Sequence, residues 1–475
     1  MTLPRYRAIA EQLLQDMSRG DYPPGSRLPS VRALAHRFAV NNLTALQAYR
    51  WLEQQQRVEA RERSGFYAVQ PGQHLSMSVP APTTPMPGTW VNVDNHVANL
   101  LSLSGSAVQH QLHMAEAHES LYPAEELARR LQHKLSRQPA LLGAHLPASD
   151  RHALLTGLQR LADQWQMSLP ADALLMTNGC TEAIQLALRG LTRPGDVVAV
   201  ETPVYFGLLQ TIESLGLRVL EIPCTPGQGL SLEALEFALR QGSPIRCLVV
   251  VANFQNPTGA LMPDDHKRRL VEMMHRRDIP IIEDDVFGDL YYGSERPRPL
   301  KAWDRHGGVI YCSSFTKTFA PALRLGWLSG GRYHARLERL KVSNSYVTSS
   351  LLQATMADCL NSGLYARQAA RLRQQLKEQS RQMQAAVLQA FPLGTQILSP
   401  SGGMLLWVAC PEPVDTLPLL QQALAHSVSF APGLVFSAEP RFRQHLRLSI
   451  GHPWDAKLAE AIQTLGSLAK GLQRH

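Results

Sequence analysis

Ser313-Ser314-Phe315-Thr316-Lys317-Thr318-Phe319-Ala320-Pro321-Ala322-Leu323-Arg324-Leu325-Gly326-Trp327 is the stretch on which the reading of this chain turns. It follows the apolar run Val309 to Tyr311, of a length suited to a buried strand, and sets one lysine among hydroxyl-bearing neighbours with an arginine seven positions on. A lysine in a turn is ordinarily a solvated surface residue. Lys317 therefore gains meaning only from what the rest of the chain places around it.

Outward from this stretch, short apolar runs alternate with amphipathic ones: Leu174 to Met176, Val197 to Val200, Val219 to Ile222, Cys247 to Ala252 and Ile279 to Ile282. This alternation predicts a mostly parallel α/β sheet covered by helices on both faces. A long helical stretch from about Leu364 to Ala390 follows. Strands near Gly403 to Val408 and Leu446 to Ile450, with a last helix from Asp455, predict a smaller α+β subdomain.

No internal repeat interrupts the pattern. The composition, 44% hydrophobic and 18% charged over 475 residues, is that of a folded protein of two to four domains. No charge-free apolar run reaches membrane-spanning length, and Arg5, Arg7 and Glu11 stand where a signal peptide needs an apolar core, so a cytoplasmic location is expected. Six scattered cysteines without CxxC spacing predict reduced, buried thiols and no metal site.

The opening 70 residues differ in kind. They hold ten arginines against six acidic residues, a surplus of four that is half of the formal +8 of the whole chain. Ile9, Leu13, Leu14 and Met17 recur at helical spacing from Arg5 to Met17. A second helix begins near Ser30 with Val31, Leu34, Ala35 and Phe38 on one face, and a third runs from Leu43 to about Gln54. That is helix-turn-helix spacing. Residues 57–69 read as two short strands around a turn bearing Gly65, a wing, and a Pro-, Ser- and Thr-rich stretch follows from Gln70 to about Gly88. The expected organisation is a DNA-binding head over residues 1–70, a linker over 71–98 and a second, larger part over 99–475.

The opening stretch about Lys317 resembles the cofactor-lysine signature of fold-type I pyridoxal-phosphate enzymes. The resemblance implies that Lys317 carries pyridoxal 5′-phosphate as a Schiff base, with Ser314 and Arg324 on its phosphate. Ala252-Asn253-Phe254-Gln255-Asn256-Pro257-Thr258-Gly259 resembles the aminotransferase Asn-Pro-Thr-Gly turn, which assigns Asn256 to the cofactor's phenolate oxygen. Asp284, in Glu283-Asp284-Asp285, would pair with the pyridine nitrogen. In Thr177-Asn178-Gly179-Cys180-Thr181-Glu182-Ala183, Cys180 and Thr181 would meet the phosphate at a helix N-terminus. Tyr205 would stack on the ring, its plain alternative being a core tyrosine. In Leu446-Arg447-Leu448-Ser449-Ile450, Arg447 would clamp an effector carboxylate, its plain alternative being a surface arginine. The chain departs from this family in two places. Phe287 stands where a tyrosine would bond the phenolate oxygen, which disfavours efficient transamination, and Leu142-Gly143-Ala144-His145-Leu146 replaces an aromatic-bearing segment that reaches a neighbouring subunit's phosphate.

Pro24-Gly25-Ser26-Arg27-Leu28-Pro29-Ser30-Val31-Arg32-Ala33-Leu34-Ala35, Ala48-Tyr49 and Ser64-Gly65-Phe66 resemble the GntR family of winged-helix regulators. By that resemblance Arg27, Ser30 and Arg32 face DNA, Asn42 and Thr44 begin the recognition helix, and Arg61, Arg63 and Gly65 form the wing. Asn41-Asn42 stands where the family often has Ser-Arg, and asparagine commonly reads adenine. A head and a body in this order resemble the MocR subfamily. Membership implies a winged helix-turn-helix joined to an aminotransferase fold of a large, mainly parallel α/β domain and a small α+β subdomain. The implied function is a homodimeric, head-to-tail regulator that binds double-stranded DNA and senses pyridoxal phosphate or an amino compound. The alternative is an active aminotransferase with an accessory DNA-binding head.

Overall fold

The computed structural model describes residues 5–19, 21–22, 26–54, 57–61, 65–68, 88–91 and 108–473. The chain forms two compact units, Met1–His74 and Leu75–His475. In the first, helices α1 (Arg5–Arg19), α2 (Val31–Arg37) and α3 (Asn42–Gln54) precede strands β1 (Val58–Arg61) and β2 (Gly65–Ala68). Each helix contributes its apolar face to one core, with Ile9 and Leu13 from α1, Leu34 and Ala35 from α2, and Ala45, Ala48, Tyr49 and Leu52 from α3.

Local chemistry sets the helix starts of this unit. Ser30 caps α2 by accepting from the Ala33 N–H at 3.1 Å, and Asn41 caps α3 by accepting from the Thr44 N–H at 2.7 Å. The strands pair antiparallel from Val58 opposite Ala68 to Arg61 opposite Gly65. Tyr49 stacks on Phe66 with centroids 4.2 Å apart, which fastens the third helix to the wing.

The second unit holds a large sheet whose principal strands are β3 (Thr89–Trp90), β4 (Leu174–Thr177), β5 (Val197–Thr202), β6 (Arg218–Thr225), β7 (Ile245–Val250), β8 (Ile281–Asp284), β9 (Val309–Ser314) and β10 (Gly326–Ser329). Their spatial order is β3-β6-β5-β7-β8-β9-β10-β4. The run from β6 to β9 is parallel, and β10 lies antiparallel between β9 and β4. Both faces are apolar for a simple reason: Val198 and Val200 point to one helical layer, Val197 and Ala199 to the other. Thr89–Trp90, inside the stretch read as linker, pairs antiparallel with Val219 and Arg218 as an edge strand. Positions 71–87 and 92–98 of that stretch lie outside the described residues.

Strands Gln396–Leu398, Leu405–Ala409, His445–Ser449 and Ala431–Pro432 form a separate antiparallel sheet in that order. It packs on the helices Leu364–Ala390 and Ala456–Gln473 through Leu376, Met383, Leu406, Leu448 and Ile462. All six cysteines are buried and unpaired with one another. No helix among the described residues is long and apolar enough to cross a membrane.

Candidate functional site

Parallel strands leave the carboxyl ends of the large sheet on one side, and a cavity of about 190 Å³ opens there. Cys180, Thr181, Tyr205, Asn256, Asp284, Ser314, Lys317 and Arg324 all line it, although 144 positions separate the first from the last. Each stands at or just beyond a strand's end: Cys180 after β4, Tyr205 after β5, Asn256 after β7, Asp284 on β8 and Ser314 on β9.

Lys317 Nζ lies 3.1 Å from Glu116 Oε1, and burial lowers the amine's pKa from its ordinary value. Desolvation outweighs the carboxylate that opposes it. Asp284 is held up at about 6, first because burial disfavours its charge, and its Oδ1 lies 3.5 Å from the Cys180 thiol. Burial pushes that thiol well above its usual range, so it donates as a neutral group.

Helix α4 (Cys180–Leu191) begins at Gly179, whose φ of 84° and ψ of 173° suit glycine almost alone. A Cβ there would stand 2.6 Å from Arg324 Nη2, so the absence of a side chain lets the guanidinium lie against the helix N-terminus. Exposed N–H groups and an arginine together make an anion cradle. Ser314 and Thr316 stand beside it, and the Thr316 hydroxyl is buried without a hydrogen-bond partner. At Gly207, a Cβ would fall 2.6 Å from the Tyr205 ring, so that glycine allows the ring to lie over the start of helix α5 (Phe206–Ser214).

Arg447 is 1% exposed, on the small antiparallel sheet. Its Nη1 donates to Asn256 Oδ1 at 2.9 Å and Nη2 to the His113 carbonyl, while its Nε is buried without a partner. Burial lowers its pKa to about 10. Phe287 lies in the wall of the same cavity, and its hydrocarbon ring offers no hydrogen bond.

Glu116, Thr316 and Glu201 also line this cavity and were not singled out by sequence. Burial raises Glu201 to about 8, so it is mostly neutral. Glu116 carried no signal, since it sits in a polar run about 200 positions from Lys317. Thr316 was legible within the lysine segment but indistinguishable from its neighbours.

In the first unit Arg27 and Arg32 are exposed, as is Asn42 at the start of the third helix. Ser30 spends its hydroxyl on the cap of α2, and the Thr44 hydroxyl donates to Asn41 Oδ1 at 2.8 Å. Leu43, 64% exposed, presents an apolar side chain between Asn42 and Thr44. Gly65 has a φ of 106°, and Arg27 lies alongside, within 3.5 Å of where its Cβ would be. Only the backbone of Arg61 is described, and Arg63 lies outside the described residues.

Residues 146–465 match the family Aminotransferase class I and II, and residues 5–68 match Bacterial regulatory proteins, gntR family. Two proteins of Escherichia coli (strain K12), named as uncharacterized HTH-type transcriptional regulators YjiR and YdcR, are similar along their length. YjiR is 36% identical over 97% of this chain and 98% of its own, and YdcR 32% identical over 98% of each. The fold matches LysN, the alpha-aminoadipate aminotransferase of Thermus thermophilus solved with N-(5'-phosphopyridoxyl)-L-leucine, at a TM-score of 0.73 and 27% identity over 80% of this chain and 95% of that one. Carrying a gntR-family head on an aminotransferase class I and II body, the chain belongs to the MocR-type GntR regulators.

Proposed function

We propose that this chain is a transcriptional regulator that binds double-stranded DNA through its head and uses pyridoxal 5′-phosphate in its body to sense an amino compound. The observation that carries the reading is the convergence of Lys317, Asp284, Asn256, Ser314 and Arg324 on one cavity, in a chain that keeps an arginine-bearing helix-turn-helix head.

The donor set fits that cofactor. Asp284 is a half-buried carboxylate with no lysine or arginine in ion pair with it among the described residues, and it would face the ring nitrogen. Arg324, Ser314 and the N–H groups of Cys180 and Thr181 would hold the phosphate, with the unpartnered Thr316 hydroxyl beside them. Asn256 would donate its amide to the phenolate oxygen, Tyr205 would cover the ring, and Lys317 would anchor the group covalently. When bound, pyridoxal phosphate supplies an aldehyde that captures primary amines and a ring that draws electrons from them. Arg447, with its free Nε, would receive an effector carboxylate. Phe287 withholds a hydroxyl from the proton shuttle, which supports sensing with little sustained transamination.

The working form in this reading is a cytoplasmic head-to-tail homodimer whose two heads meet paired half-sites, with Arg27, Arg32, Asn42, Arg61, Arg63 and Gly65 toward DNA. A footprint on the DNA upstream of the chain's own gene, with and without pyridoxal phosphate, tests it alongside a turnover assay with amino acids and 2-oxoglutarate. Protection of paired half-sites without turnover is expected. Turnover at about 1 s⁻¹ or more without protection would replace the regulator by an aminotransferase with an accessory head.

A further inference from the structure

Among the described residues the side chain that meets Lys317 Nζ is Glu116, whose Oε1 lies 3.1 Å away although the two positions are 201 apart in the chain. The backbone of Glu116 is fixed from two directions. Its carbonyl accepts from the Ser449 hydroxyl at 3.2 Å, and the Ala117 N–H donates to the Tyr122 hydroxyl oxygen at 3.3 Å. Gly451 permits this close approach of the small antiparallel sheet, since a Cβ there would stand 2.6 Å from the Glu116 carbonyl oxygen. The carboxylate is thus built into the site at the nitrogen that reacts.

A proton on Nζ is disfavoured by burial and by two cations, Arg447 and Arg324, while Glu116 opposes them through its charge and its hydrogen bond. Asp284 is the other acid within reach, but burial holds it toward its neutral form, and with cofactor bound as proposed above it belongs to the ring nitrogen. Tyr205, Cys180 and Glu201 complete the wall as neutral groups, because burial raises each of them. Phe287 brings no hydroxyl. The balance at Nζ therefore rests on Glu116.

We infer that Glu116 is a catalytic residue that holds the proton on Lys317 Nζ, both in the free amine and after that nitrogen has joined the cofactor's aldehyde carbon. This rests on the cofactor reading above. In both states a protonated Nζ is positive, so the carboxylate keeps its partner. The consequence falls on exchange with a ligand amine. A bond forms from the ligand nitrogen to that carbon, the bond from the carbon to Nζ breaks, and one proton passes from the ligand nitrogen to Nζ, which leaves as a neutral amine. A protonated Nζ draws electrons from the carbon and departs more easily, so Glu116 widens the pH range over which the body answers an amine.

The test follows the visible absorption of the full-length protein loaded with pyridoxal phosphate as pH is raised, with no amine added, because the band shifts when Nζ loses its proton. Glu116→Gln should lower the midpoint by roughly one to three pH units, the effect of removing an opposite charge at this distance. Glu116→Asp keeps the charge but draws it back by a methylene, and its midpoint should fall between the two. Glu119→Gln removes an equal charge from an exposed side chain nearby and should leave the midpoint in place, which separates contact at Nζ from overall charge. A midpoint unmoved by Glu116→Gln, or moved as far by Glu119→Gln, would overturn the inference, as would a band that stays unshifted to about pH 10 in both wild type and Glu116→Gln. If Glu116→Gln takes up no cofactor, Glu116→Asp decides, and a midpoint equal to that of the wild type overturns the inference. Failure of the wild-type protein to develop a cofactor band would instead defeat the cofactor reading, so the two failures are told apart.

Discussion

At Lys317 and Asp284 the body keeps two charges in a place that disfavours both, since burial lowers the pKa of the amine and raises that of the carboxyl. Lys317→Ala should abolish the visible band that pyridoxal phosphate gives with the wild-type protein while leaving the far-ultraviolet circular dichroism unchanged. A retained band would move the anchor elsewhere. Asp284 has a folded pKa of about 6 against an ordinary 3.8, so as pH rises the unfolded chain releases this proton first. The cofactor-free protein therefore loses stability as pH climbs from about 4 through the folded value. Asp284→Asn removes the loss, and at about pH 8 the cofactor-free variant should gain at most about 3 kcal/mol, a gain that vanishes in acid. With cofactor the sign reverses, because the ring nitrogen loses a charged partner worth about 1.5–3 kcal/mol. Thermal melts with and without cofactor at both pH values check the crossing.

At the level of single elements, two helix starts matter most. Helix α4 needs Gly179 both for a backbone region closed to other residues and for the space that Arg324 Nη2 fills. Gly179→Ala should cost about 1–3 kcal/mol of stability and weaken uptake of pyridoxal phosphate in titration. Uptake unchanged would remove Arg324 from the phosphate. In the head, Asn41 caps α3 through the Thr44 N–H and hydroxyl. Asn41→Ala should destabilise the head by about 1 kcal/mol and loosen DNA binding through the misplaced helix start. Exposed Arg32 is different: Arg32→Ala should leave melting unchanged and lower the slope of log affinity against log salt by roughly 0.9. A slope equal to wild type would give Arg32 a role other than meeting phosphate.

For the whole molecule, a ligand in the body can change DNA binding only by favouring one arrangement of the chain over another. Linkage makes the effect mutual, so operator DNA must shift the affinity for the effector by the same factor that the effector shifts the affinity for DNA. Titrating the cofactor's absorption with candidate amines in the presence and absence of operator DNA measures one side, and titrating operator DNA with and without the amine measures the other. Equal affinity in the two titrations would separate sensing from DNA binding.

Much of this was legible in residue order because the chemistry is local. A glycine-led turn before a helix, Asn-Pro-Thr-Gly after a strand and a lysine after another are each read within a few residues, and alternating apolar runs located six of the sheet's strands. The long helix Leu364–Ala390 was readable for the same reason, its period being set by the backbone. Strand β10 escaped notice because Gly326-Trp327 was absorbed into the lysine segment, and Thr89–Trp90 because two residues carry no period. Tertiary structure alone decided that Arg447 is an interior cation held by Asn256 and the His113 carbonyl, and that Glu116 stands against Lys317. Neither contact leaves a local mark. Polar contacts between strands and loops about two hundred or more positions apart depend on how sheets stack and connections cross, and residue spacing along the chain does not encode that.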